Sequence, residues 1–476
     1  MYKTSLGVTG CATGLPSAAA DPAPPFTLAD DTRDARSHLD DEDDGMRSRV
    51  HHVTLLAAAI LMSLPGAVCG ASDYFVVRVI DEDTGRGVPL VELRLPNDVT
   101  YWTDSAGVAA LDEPSLAGRE VFVAVRGHGY EYPQETFLGR GVNLRIDPGA
   151  VREVFVRRTM VAERLYRLTG EGIYRDSIKA GLRVPTDGER ASALVLGQDT
   201  VTATPYQGRL FWVWGDTVGP TYWNFSVSAA TSDPKEDPAV AVSYSYITDE
   251  DGRVRSMLPL EGEGLVWVEG LIPVVDPDGR ERLLATYTRQ TGLRFPEECG
   301  IALYDEQKQV FEPWVQMPCR AEHTSSHPFL HDGYWYLYPW LRVPNDWDAI
   351  QDASAWETRV VQWPPDAARP SCVVWNDYRH RWLLLLEDVG DVYYAEADEP
   401  EGPYGKAVKV IEHDEYNFYN VATHAFFNKD DGREIFIEGT YTSAFSGATE
   451  KTPRYNYNQV MYRLRLDDPR LEEAQR

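Results

Sequence analysis

Residues Gly197–Thr217 read GQDTVTATPYQGRLFWVWGDT. Two runs rich in Thr, Val and aromatic residues flank the pair Gln207-Gly208, which suits a two-residue hairpin turn whose central positions take positive φ. With the turn there, Tyr206 faces Arg209, and counting outward along both strands brings Asp199 opposite Asp216. Directly opposed residues of an antiparallel pair have Cβ atoms about 4.5–5.5 Å apart. Two carboxylates at that distance repel, and one of them holds its proton more tightly unless a cation or hydrogen-bond donors intervene. Catalysis gives a reason for such a pair, because acid–base work needs neighbouring carboxyls with different proton affinities. The structural reading is that each Asp caps a turn or accepts from backbone amides at a strand end.

The hairpin pattern recurs. Polar turns between aromatic or aliphatic strands fall at Gly208, Gly279, Gly333, Tyr378 and Gly432, roughly every 45 to 70 residues, the repeat length of propeller blades built from four strands each. The fold class expected is all-β, a five-bladed β-propeller over 191–468 preceded by a small β-sandwich. The segment RYNYNQVMYRLRLDD, from Arg454, supplies a late strand able to close the ring. Inner strands of a propeller run parallel, so residues at equal distances before their turns share one face. That places Asp199, Glu269, His323 with Glu322 beside it, Arg369 and His424 around the mouth of the central channel. Tyr222 and Trp223, in the loop GPTYWN, are placed to stack on a sugar ring, whereas Trp212 and Trp214 alternate along the hairpin as packing residues. Asp199, Asp216 and Glu269 are the candidate catalytic residues; His323, Glu322, Arg369, His424, Tyr222 and Trp223 are the candidate substrate-binding residues.

Upstream the text differs. Residues 1–45 carry PSAAADPAPP and the acidic run DDEDDG, and read as an over-long start without a fold. Residues 46–71 read as a secretory signal peptide: basic residues after Met46, the apolar run VTLLAAAILMSL and a small-residue zone. Residues 73–157 contain short alternating strands typical of a β-sandwich. The stretch MVAERLYRLTGEGIYRDSIKAG makes 158–190 a connector with a helix. Cys299 and Cys319 bracket a two-strand stretch; they bridge if their Cα atoms come within about 7 Å, and otherwise read as buried thiols.

The formal net charge of −28 repels nucleic-acid phosphates and anionic membranes, so neither is expected as a partner. A neutral or cationic partner is easier to accommodate than an anionic polymer. The 13 Trp and 26 Tyr serve core filling in an all-β fold or stacking on sugars.

The motifs VIDEDTGRGVPLVEL and TDSAGVAAL resemble the carboxypeptidase regulatory-like, transthyretin-like domains, which implies a spacer or attachment module. The hairpin GQD…FWVWGDT, with the blade pattern, resembles the five-bladed propeller glycoside hydrolases of the arabinanase, xylosidase and invertase group. It is more closely similar to the formerly uncharacterised propeller family that includes endo-D-arabinanases. That resemblance implies Asp199 as general base or nucleophile, Asp216 as its carboxylate partner, and Glu269, in EGLIP, as a second acid. His424 resembles a fifth-blade histidine that helps hold a central calcium, so a calcium ion is compatible, although no metal ligand or other cofactor is assigned. The function expected is an exported glycoside hydrolase, secreted or periplasmic in a bacterium, acting on a poly- or oligosaccharide that the resemblance suggests is a furanoside. The alternatives are a carbohydrate-binding or scaffold propeller without catalysis, and a glycan lyase. Oligomeric state is left open.

Overall fold

The computed structural model describes residues 73–475 except 186–192, 221–222, 225–226, 293–294, 320–326, 338–340, 360 and 365–367. The expectations for 1–45 and 46–71 lie outside these residues. Among the described residues, five four-stranded antiparallel sheets follow one another along the chain as blades. The first runs Thr202–Tyr206, Arg209–Trp214, Ser228–Ser232 and Ser245–Tyr246 from its inner to its outer strand, and the second begins at Leu265–Val275. The third and fourth begin at Phe329–His331 and Arg369–Asn376, and the fifth contains Asn417–Thr423, Glu434–Thr442 and Asn458–Arg465. Alternating apolar positions explain why these runs are strands, and the tight polar turns explain why each pairs with the next.

The fifth blade takes its outer strand from far upstream. Glu163–Arg167 pairs antiparallel with Asn458–Arg465, so the chain closes the ring by joining an early strand to the last blade. Within 158–190, expected as a connector with a helix, the described residues hold a helix at Arg175–Lys179 downstream of this strand. Three of the five side chains of ERLYR are charged, yet all five are buried. Arg164 donates to the carbonyl of His128 (3.1 Å) and lies over the Tyr130 ring. Arg167 donates to the carbonyls of Thr169 (2.9 Å) and Glu171 (2.6 Å), and its burial pulls its proton affinity down to about 10. Glu163 is held by Arg463 (3.1 Å). Buried charged side chains, each held by at least one hydrogen bond or ion pair, read in sequence like a polar helix face.

Nine strands between Phe75 and Arg158 form the upstream sheet. Val77, Leu93, Val125 and Val156 pack in one hydrophobic cluster with Leu383, Tyr394, Ile437 and Tyr462 of blades 4 and 5. Tyr455 stitches the two together: its hydroxyl donates to the Thr103 carbonyl (2.7 Å) and accepts from the Leu90 amide (3.2 Å). Cys299 and Cys319 form a disulfide with Cα atoms 5.2 Å apart, and Cys372 is a buried free thiol. Among the described residues, no helix is long and apolar enough to cross a membrane.

Candidate active site

The opening hairpin has the register its turn predicts. Gln207 (φ 47°) and Gly208 (φ 74°) form the turn, Tyr206 pairs with Arg209, Thr202 with Val213, and Gln198 with Thr217. Between the two ladders the Asp199 amide donates to the Asp216 carbonyl (3.1 Å), so the two aspartates do face each other. The strand kinks at Thr200, which sits at φ 51°. Gly215 permits the kink: its amide reaches the carbonyls of Asp199 (2.9 Å) and Thr200 (3.2 Å), and a Cβ there would stand 2.8 Å from Asp199 Oδ1.

Around this pair the ring supplies donors from other blades. Asp199 Oδ1 accepts from the Asp216 amide (2.8 Å), and Oδ2 accepts from the hydroxyls of Tyr419 (2.7 Å) and Tyr457 (2.8 Å). Asp216 Oδ1 accepts from the Trp267 indole (3.1 Å), while its Oδ2 lies 3.4 Å from the Tyr457 hydroxyl. Tyr419 is aimed by a register shift in the inner strand of blade 5, between Tyr419 and Ala422, where Asn420 takes φ 51°. Tyr457 itself sits at φ 65°. Left-handed conformations at Thr200, Asn420 and Tyr457 each store on the order of 1–3 kcal/mol of strain, and the surrounding bonds hold them. Asn420 donates to Thr200 Oγ1 (2.5 Å), and the Thr200 amide donates to Thr440 Oγ1 (3.3 Å). Below lies a buried polar layer in which Gln198 donates to Ser228 (2.7 Å) and accepts from Tyr246 (2.8 Å).

Burial raises the proton affinity of both carboxyls. For Asp199 the hydrogen bonds from Tyr419, Tyr457 and the Asp216 amide oppose it. Asp216 is pushed up to about 6, by burial first and by the charge of Asp199 second. Three donors against one full donor, Trp267, make Asp199 the more readily ionised of the two and Asp216 the one that holds its proton to higher pH. Because the folded chain holds the Asp216 proton more tightly than the unfolded chain, whose carboxyl titrates near 3.9, the folded state binds more protons between about 3.9 and about 6. Stability therefore falls as pH rises through that window and stays low above it. Asp216→Asn is expected to be more stable than the wild type near pH 8, by on the order of 2 kcal/mol. The gain should vanish below about pH 4, where both side chains are neutral. Denaturation midpoints across pH check this, and a wild type as stable as the variant at high pH would contradict it.

Glu269 lies in the same blade-2 strand as Trp267, at the register shift between Val268 and Gly270. Thr288, the cross-strand partner of Trp267, donates to Glu269 Oε1 (3.0 Å). The third carboxylate thus stands at the level of the indole that touches Asp216. It also lines a cavity of about 70 Å³ walled by Thr286, Ile301, Met317 and Trp356. Arg369 begins the inner strand of blade 4 and is ion-paired with Glu387, which also accepts from the Val421 amide (3.1 Å).

His424, expected among the substrate-binding residues, is 4% exposed, bonded to Glu438 Oε1 (2.7 Å) and packed against Trp212, His327, Phe426 and Phe427. Calcium takes six to eight oxygen ligands; the oxygen shown bonded to the His424 imidazole is Glu438 Oε1. Among the described residues, no group of three or more His, Cys, Asp or Glu is placed to hold a metal ion. Tyr222, Glu322 and His323 lie outside the described residues; the backbone of Trp223 forms a short strand paired with Val218. Trp212 and Trp214 are fully buried, as packing predicts. Sequence reasoning missed Tyr419, Tyr457 and Trp267. The only signal was their place in aromatic-polar strings, NFYN, RYNYN and VWVEG, which many surface strands share.

No protein-family model matches this sequence, and no curated protein matches it significantly. Solved structures are similar to part of this chain. An exo-1,5-α-L-arabinanase from a bovine ruminal metagenomic library is 11% identical with a TM-score of 0.35, over 57% of this chain and 93% of that one. An endo-1,5-α-L-arabinanase from Thermotoga petrophila RKU-1 is 12% identical with a TM-score of 0.35, over 57% and 74%. An α-L-arabinofuranosidase from Clostridium thermocellum is 12% identical with a TM-score of 0.31, over 58% and 97%. At such identities the likeness is one of fold and says nothing about chemistry.

Proposed function

We propose that this chain is a glycoside hydrolase that cleaves a poly- or oligosaccharide with the paired carboxyls of Asp199 and Asp216. The observation that carries the reading is the division of donors: Asp199 accepts three hydrogen bonds that favour its charged form, while Asp216 stands beside it with its proton held up to about 6. A charged carboxylate next to a protonated one is the equipment of glycosidic cleavage, in which an acid protonates the leaving oxygen and a carboxylate meets the oxocarbenium-like centre. Asp216 is the acid and Asp199 the nucleophile, with Glu269 as the remaining candidate acid. Asp199 Oδ2 and Asp216 Oδ2 both contact the Tyr457 hydroxyl, so they lie no farther apart than those two contacts allow. That closeness favours the retaining arrangement, with carboxyls about 5–5.5 Å apart, over the inverting one at about 6.5–9.5 Å. The hairpin's resemblance points to a furanoside, and the signal-like segment 46–71 accords with an exported enzyme meeting polymeric glycan.

The test is a panel of neutral arabinans, galactans and xylans with reducing-end detection, followed by NMR of the first-formed anomer. Release of reducing ends with retained configuration is expected. An ultraviolet-absorbing unsaturated product would make the protein a lyase, and affinity for glycans without any cleavage would make it a binding propeller.

A further inference from the structure

We infer that the Tyr457 hydroxyl hydrogen follows the negative charge of the carboxylate pair, resting on Asp199 and turning to Asp216 once Asp216 has given up its proton. The inference rests on the hydrolase reading and adds a positioning residue to it. A tyrosine hydroxyl carries one hydrogen. With Asp199 Oδ2 at 2.8 Å and Asp216 Oδ2 at 3.4 Å, that hydrogen belongs to Asp199 in the resting site. Asp199 also accepts from Tyr419 and the Asp216 amide, whereas Asp216 has the Trp267 indole.

The reaction reverses the demand. As the bond from Asp199 to the anomeric carbon forms, the glycosidic carbon–oxygen bond breaks and the leaving oxygen takes the proton of Asp216. Asp199 is then an ester and Asp216 a carboxylate. Rotation about the phenolic C–O bond swings the hydrogen toward Asp216 without moving the ring. When water attacks, Asp216 recovers a proton from it, the Asp199 ester carbon–oxygen bond breaks, and the hydrogen returns. No proton leaves Tyr457 at any point.

The backbone keeps the hydroxyl between the two carboxyls throughout. The Tyr457 amide donates to the Tyr441 carbonyl (2.7 Å), and its carbonyl accepts from the Gln198 amide (2.8 Å). The residue is thus pinned between blade 5 and the strand leading into blade 1, in a left-handed conformation that such bonds must enforce. Facing this hydroxyl are the titratable groups Asp199 and Asp216 of the hairpin and Tyr419 of the blade-5 inner strand, with Glu269 along the blade-2 strand from Trp267. Tyr419 donates to the Asp199 carboxylate (2.7 Å), and its hydroxyl also contacts that of Tyr457.

The experiment compares pH–rate profiles of wild type, Tyr457→Phe and Tyr419→Phe on the glycan the wild type cleaves. Each variant removes a donor from the Asp199 carboxylate, so in each the acidic limb should move to higher pH. Tyr457→Phe should also lower the kcat plateau at least about tenfold more than Tyr419→Phe, since a hydrogen bond to a charged group is worth about 10- to 100-fold. Equal plateaus, or an acidic limb that stays put in Tyr457→Phe, would overturn the inference. If Tyr457→Phe fails to fold, 3-fluorotyrosine placed at 457 keeps the ring and strengthens the donor. The acidic limb should then move to lower pH, and an unmoved limb counts against the inference. A wild type that cleaves no glycan removes the hydrolase reading and this inference with it. An active wild type with matching variants removes only the role of Tyr457.

Discussion

Asp199→Asn is expected to lower turnover by on the order of 10³-fold on whichever glycan the wild type cleaves, the range a positioned acid–base group commands. The amide keeps the shape of the carboxylate. Its oxygen can still accept from the Asp216 amide, and its NH₂ meets two tyrosine oxygens that can turn to accept, so the pocket has no reason to collapse. What it removes is the negative charge that three donors were holding. Asp216 loses the second of the two causes that raise it to about 6, so its proton affinity should fall as well. Asp199→Ala would be a poorer test, because it removes the acceptor that the Tyr419 and Tyr457 hydroxyls share as well as the charge. Initial rates across the glycan panel, with unfolding midpoints as the control, decide the matter. Turnover kept within about tenfold of wild type, on every glycan cleaved, would end the paired-carboxyl account.

Trp212→Ala is expected to destabilise the fold by about 3–5 kcal/mol, as deletion of a fully buried aromatic does. Trp212 is 0% exposed, its indole donates to Ser232 Oγ (2.8 Å), and its ring packs on Tyr244, Phe427 and His424 and lies parallel to Trp214. Phe427 and His424 follow the inner strand of blade 5, so this wall seals the seam where the ring closes. Asp199 is bonded across the same seam to Tyr419 and Tyr457. Activity should therefore fall with stability rather than independently of it. The shift in denaturant midpoint measures the effect, and a change below about 1 kcal/mol would show that the aromatic wall is not what joins blade 1 to blade 5.

The site was legible where its geometry is local. A two-residue turn at Gln207-Gly208 sets the register of its own hairpin, because side chains alternate with period two and one slip would turn every apolar residue outward. Asp199 and Asp216 could be paired from that alone. The repeating hairpins yielded the blades in the same way. Glu269 was reached through its distance from a turn, and its strand does carry the Trp267 that touches Asp216. A histidine at the end of an inner strand reads alike whether it faces a channel or a layer of aromatics, and its bond to Glu438 appears only in the folded chain.

Tyr419 and Tyr457 lie more than two hundred residues from Asp199, and nothing near them in the chain announces what they touch. They arrive because the ring closes, and the ring closes because Glu163–Arg167, a strand disguised by three buried charges, pairs with Asn458–Arg465. Short-range pairing thus settled which carboxyls stand together, since a hairpin needs only its own turn and alternation. Which of the two bears the charge was settled by donors from distant blades and by burial, and those exist only once the circle of sheets is complete.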